Sequence, residues 1–100
     1  MTISVAELRV PAAIAVVTTD DGVTVDLSDG RTLVLPIEWY PRLLNATSEE
    51  RCDWRFVGGG EGIHWPRLDE DISVESLIAG RPSGESQRSL ERWLTARQPA

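Results

Sequence analysis

The sequence predicts an α+β fold: a small antiparallel β-meander with short helices packed on one face and a C-terminal helix. Three observations carry that reading. Val23, Val25 and Leu27 alternate with Thr24 and Asp26 just before Asp29-Gly30, a strand running into a hairpin turn. Thr47 and Glu50 stand three residues apart, the spacing of a helix capping box. Leu90, Trp93 and Leu94 draw one narrow apolar stripe along residues 86–97.

The elements follow in order. Residues 12–18, AAIAVVT, are β-branched and apolar, with Ile14, Val16 and Thr18 expected on one side. Asp20-Asp21-Gly22 follows, and Gly22 is expected to supply the positive φ of a tight turn. Residues 31–35 return as a third strand, closed by Pro36, which has no amide to give to a ladder. Residues 38–45 predict a short helix that turns Trp39, Leu43 and Leu44 toward the sheet, with Asn45 as its C-terminal cap. The capping box then opens a helical turn through Cys52 and Asp53. Trp54-Arg55-Phe56-Val57 alternates like a strand, Gly58-Gly59-Gly60 breaks it, and Ile63-His64-Trp65 reads as a short strand stopped by Pro66. Asp69-Glu70-Asp71 is expected to lead into a helix over residues 74–79, capped by Ser73. The organisation expected is a compact unit over 1–80, a linker over 81–85 and a helix over 86–98.

Composition narrows the function. The chain has 100 residues, the size of one domain, and a formal charge of −6. All ten basic residues are arginine, scattered from Arg9 to Arg97, so no basic face for a phosphate backbone is visible and nucleic acid is not an expected partner. No apolar run approaches the ~18 residues of a membrane span. MTISVAELRV lacks the basic region and unbroken apolar stretch of a secretory leader. A lone cysteine, Cys52, cannot form an intrachain disulfide and fits a reducing cytoplasm. It is expected to be a small buried hydrophobe, although the neighbouring Arg51 would favour its thiolate.

Two segments, LSDGRTLVLPIEWYPRLLNAT and WRFVGGGEGIHWPRLDEDISVESLIAG, together resemble a bacterial family, the domain of unknown function numbered 2442. The likeness covers about residues 10–80. It implies a small bacterial protein without an established activity. It also implies relatives fused to helix-turn-helix domains, and others encoded beside a second small family in the manner of toxin–antitoxin pairs. Some relatives carry the description of molybdopterin-guanine dinucleotide biosynthesis proteins. A nucleotidyl transferase needs a glycine-rich loop opening a helix. Here Gly58–Gly62 lies between strand-like segments, and the chain contains no lysine.

One cluster has the chemistry of a site: His64 with Asp69, Glu70 and Asp71, near Arg67. Read as function, His64 is a general base or metal ligand oriented by a carboxylate. Read as structure, it faces away from the core while the acids favour a helix start. A single histidine falls short of zinc-ligand spacing. Asp69, Asp71, Ser73 and Glu75 alternate as oxygen ligands, but a calcium loop needs a central glycine and a terminal bidentate glutamate. No catalytic residue, metal or cofactor is therefore assigned. Trp39, Trp54 and Trp65 fall on core faces. Trp93, framed by Arg88, Arg92 and Arg97, is expected to dock on its own domain or to contact a partner.

The reading that results is a non-catalytic interaction or accessory module with a protein partner. Its expected recognition surface is His64, Arg67, Asp69, Glu70 and Asp71, and its expected partner contact is Arg88, Arg92 and Trp93. A homodimer through an exposed edge strand is allowed. The competing readings are a small enzyme or metal site at His64 and Asp69–Asp71, and a DNA-associated regulator.

Overall fold

The structure, a computed structural model, describes residues 10–97. The first nine residues, where a leader is not expected, and Gln98, placed at the end of the last helix, lie outside the described residues.

Two three-stranded antiparallel sheets share one core. The first is the meander of β1 (Ala13–Thr18), β2 (Gly22–Leu27) and β3 (Thr32–Pro36), in the order β1-β2-β3. Its inner face buries Val23, Val25 and Leu27 by period-two alternation, with Leu35 from β3, and Ala13 and Val16 from β1, where an irregularity separates them by three residues. A 3-10 turn at Ile37–Trp39 leads into α1 (Pro41–Leu44), and α2 (Ser48–Cys52) follows. The second meander is β4 (Arg55–Val57), β5 (Gly62–Trp65) and β6 (Glu70–Ser73). Two helices complete the chain, α3 (Val74–Ile78) and α4 (Gln87–Arg97). Ile63, Trp65 and Ile72 from the second sheet meet Tyr40, Leu43, Leu68, Val74 and Leu77 in the common core.

Local chemistry explains where these elements start and stop. Thr47 Oγ1 accepts from the Glu50 amide and Glu50 Oε1 accepts from the Thr47 amide, so the capping box forms in full. Asn45 caps α1 by donating its side-chain amide to the Pro41 carbonyl at 2.8 Å. Ser73 caps α3 by accepting from the Ser76 amide at 3.1 Å.

Several expectations are corrected. Ile14 faces solvent, because β1 carries an irregularity between Ala13 and Ala15 that turns the next residues over. Gly22 lies in β2 without a positive φ. The turn before it is built by Thr19 Oγ1, which accepts from the amides of Asp21 and Gly22. What Gly22 supplies is space: a Cβ there would stand 2.9 Å from the Leu35 carbonyl oxygen. Leu44 is exposed, on the side of α1 away from the core. Cys52 is also exposed, since α2 buries Glu50 and Arg51 instead. Glu70–Asp71 does run into α3 through the Ser73 cap, but as a strand rather than as an irregular lead-in. It pairs with β5, and a hairpin turn precedes it with Asp69 at φ 50°.

The two sheets touch through Gly60. Its φ is 102°, its carbonyl accepts from the Ala13 amide at 2.8 Å, and a Cβ would fall 2.7 Å from the Ala13 oxygen. Arg51 is the second tie. Its buried side chain donates to the carbonyls of Leu43 and Leu44, at 2.7 and 3.0 Å, and to Asp20 at 2.7 Å. Its own carbonyl accepts from Trp65 Nε1 at 3.0 Å and from the Thr18 hydroxyl at 3.4 Å. One residue thus holds the end of α1, the β1–β2 turn and the second sheet together.

Candidate functional site

The β5–β6 hairpin positions the cluster marked in the sequence, and the strand period divides it. Arg55, His64 and Asp71 are cross-strand partners and share the outer face of the second sheet. His64 Nδ1 lies 2.7 Å from Asp71 Oδ1. A carboxylate can only accept, so the histidine presents Nδ1–H to it, and Nε2 is left as the other ring atom. Asp71 is largely exposed. The pair orients an imidazole on an open surface. Among the described residues no three of His, Cys, Asp and Glu gather closely enough to hold a metal ion.

Glu70 stands on the opposite face, across from fully buried Trp65. Asp69 and Arg67 belong to the turn between the strands and are exposed. Of the five surface residues marked in the sequence, the structure therefore brings together only His64 and Asp71. The Asp71 amide donates to Glu70 Oε1 at 3.2 Å, and Glu70 has no ion-pair partner among the described residues. Burial pushes its carboxyl above the usual range.

Glu70 lines a cavity of about 240 Å³ with Tyr40, Ile72, Arg81, Pro82 and Gly84. The Tyr40 hydroxyl there is fully buried and has no hydrogen-bond partner. Burial raises the phenol, and the nearby Glu70 charge raises it further. Sequence reading missed Tyr40 altogether. It also missed that Glu70 and Asp71 face opposite ways, which follows once Glu70–Ser73 is read as a strand.

The C-terminal helix is held to the body by charge. Arg42 donates to both oxygens of Glu85 and to the carbonyls of Leu68 and Asp69. Arg97 donates to both oxygens of Glu50, at 2.7 and 2.8 Å, and holds its carboxyl down at about 2. The Trp93 ring is half-buried against the core, with Arg97 at 4.4 Å and Arg42 at 5.1 Å from its centroid. Trp93 therefore packs on its own chain, whereas Arg88 and Arg92 are exposed.

A further surface lies on the first sheet. Across its outer face Val17, Thr24 and Val34 form one cross-strand row, and Ala15, Asp26 and Thr32 form the next. Ile14, Val17 and Val34 are 59%, 58% and 69% exposed. Asp26 is engaged by the Thr32 hydroxyl at 2.7 Å.

The profile of a family described as a protein of unknown function, DUF2442, matches residues 13–83. The chain belongs to this family. A crystal structure of a protein of unknown function from Rhodospirillum rubrum is similar, with a TM-score of 0.65 and 30% identity over 77% of this chain and 95% of that one. A solution structure of an uncharacterized protein from Chromobacterium violaceum shares the fold, with a TM-score of 0.62 and 20% identity over 81% of this chain and 74% of that one. No curated protein matches. The DUF2442 match takes in both sheets and α3 and ends at Ser83, before α4. Among the described residues no helix is long and apolar enough to cross a membrane.

Proposed function

We propose that this chain is a non-catalytic protein-interaction module of the cytoplasm, the accessory member of a two-gene pair of the toxin–antitoxin kind. The observation that carries the interaction reading is the outer face of the first sheet. An antiparallel sheet with one solvated face ordinarily shows polar side chains there. This one offers Ile14, Val17 and Val34, β-branched and mostly exposed, on a rigid surface. Exposed apolar side chains gathered on one face in this way are suited to a contact surface.

Charge selects the occupant. The turns at the two ends of the sheet carry Asp20, Asp21 and Asp29, and the whole chain is at −6. A partner with an apolar patch and a basic rim fits, and a nucleic acid does not. Self-association would set these acidic turns against one another, so a different chain is the better occupant than a second copy. The His64–Asp71 pair is an oriented polar feature on the other sheet. It lacks the third group that would make it a catalytic constellation.

Co-purification from the native organism, with the tag at either end, tests the proposal. The expected result is one stoichiometric protein, basic in composition and encoded by the adjacent gene. Recovery of the chain alone with both tags would contradict it.

A further inference from the structure

The cavity beneath β6 is a half-open slot with two defined walls. Its outer wall is residues 81–84, which three backbone amides hold in place. Arg81 donates to the Ser76 carbonyl at 3.0 Å, Ser83 to the Trp39 carbonyl at 2.9 Å, and Glu85 to the Ser83 hydroxyl at 3.2 Å. The inner wall is β6 and Tyr40, which is only 2% exposed. Two polar groups in this slot lack what they need. The Tyr40 hydroxyl has no hydrogen-bond partner, although buried hydroxyls almost always find one. The Glu70 carboxylate has no ion pair among the described residues, because the nearby cation, Arg42, is bound to both oxygens of Glu85.

These deficits specify a ligand. An anion is repelled by the unpaired Glu70 carboxylate. A cationic nitrogen satisfies both groups at once: it gives one N–H to the Tyr40 oxygen and pairs its charge with Glu70. Ile72 and Pro82 offer apolar wall to an alkyl stem. We propose that this slot binds an alkylammonium group, its nitrogen held between the Glu70 carboxylate and the Tyr40 hydroxyl. A free amine and the end of a lysine side chain both carry this chemistry. The slot is separate from the outer face of the first sheet, and its occupancy does not depend on that face having a partner.

Amide-resolved NMR titration of the full chain with n-butylammonium chloride tests this, with sodium chloride at equal ionic strength as the control. The expected result is saturable shifts centred on Tyr40, Ile72, Ser83 and Gly84. Glu70→Gln should weaken binding by roughly tenfold or more, the scale of one charge-assisted contact. Tyr40→Phe should weaken it several-fold and leave the melting temperature unchanged or raised, since it removes an unpaired buried hydroxyl. A short peptide with an internal lysine separates the sources. Tighter binding of the peptide assigns the slot to a protein ligand, and tighter binding of the amine assigns it to a metabolite; either supports the slot. No saturable shift, or equal binding by wild type and Glu70→Gln, would overturn the proposal. So would a Tyr40→Phe variant that binds normally and melts lower, because the hydroxyl would then serve the fold alone.

Discussion

The two sheets of this protein are built by different means. The first, β1–β3, is longer, and alternation along its strands fills its inner face with Val16, Val23, Val25, Leu27 and Leu35. The second, β4–β6, has strands of three and four residues, too short to bury a face unaided. It is held by groups that reach in from elsewhere: the Arg51 carbonyl on the Trp65 indole, the Arg42 guanidinium on the β5–β6 turn, and the Ala13 amide on the Gly60 carbonyl. One sheet rests on local pattern and the other on long-range hydrogen bonds. The first is thereby free to show an apolar outer face, whereas the second carries the polar surface and the slot.

Breaking the second sheet should cost most. Trp65→Ala opens a cavity at the centre of the shared core and removes the indole donor. A loss of about 3–5 kcal/mol is expected, measured by urea denaturation. Arg51→Met comes next. It leaves the Leu43 and Leu44 carbonyls without their donor, for an expected loss of about 2–4 kcal/mol. The control is Asp20→Asn. Asp20 is 96% exposed, so its ion pair with Arg51 should contribute under ~1 kcal/mol. Equal effects from the two substitutions would mean that charge pairing, not carbonyl capping, is what Arg51 supplies.

The same contrast sets what could be read from the sequence. β2, β3, the Thr47–Glu50 box and the Ser73 cap were legible because each depends on residues within a few positions of one another. β6 was not. Three acids in a row ahead of Ser73 resemble an irregular helix entry, and only pairing with β5 makes Glu70–Ser73 a strand before α3 begins. Ile14 was misplaced because a β-bulge leaves no mark in an apolar run. Arg42 and Arg51 were scattered charges in the sequence, and their carbonyl partners are fixed by the tertiary fold. His64 with Asp71 was legible as a pair, but the Tyr40–Glu70 slot joins residues thirty positions apart.

Acid should reveal a smaller effect. Arg97 holds Glu50 at about 2, below its ordinary value of 4.5. That ion pair contributes fully above about pH 4.5, and its contribution falls as pH drops toward 2. A stability loss of roughly 1–2 kcal/mol is expected over this window, with α4 loosening from the body, followed by urea denaturation and by the amide NMR shifts of α4. Glu50→Gln should be less stable at neutral pH and show a flatter acid profile. Glu70 has the opposite sign. Its raised carboxyl disfavours the folded state once ionised, so Glu70→Gln should be the more stable protein at neutral pH.

The smallest effects on stability are expected at the outer faces, and there function should separate the sheets. Val17→Glu with Val34→Glu, and His64→Ala with Asp71→Ala, should each shift stability by under ~1 kcal/mol, because these side chains lie outside the core. Co-purification of the native partner with each folded double variant is the most direct measurement of the central claim. The account predicts that the valine pair loses the partner while the His64–Asp71 pair retains it. Retention by the valine pair, with loss from the His64–Asp71 pair, would contradict it.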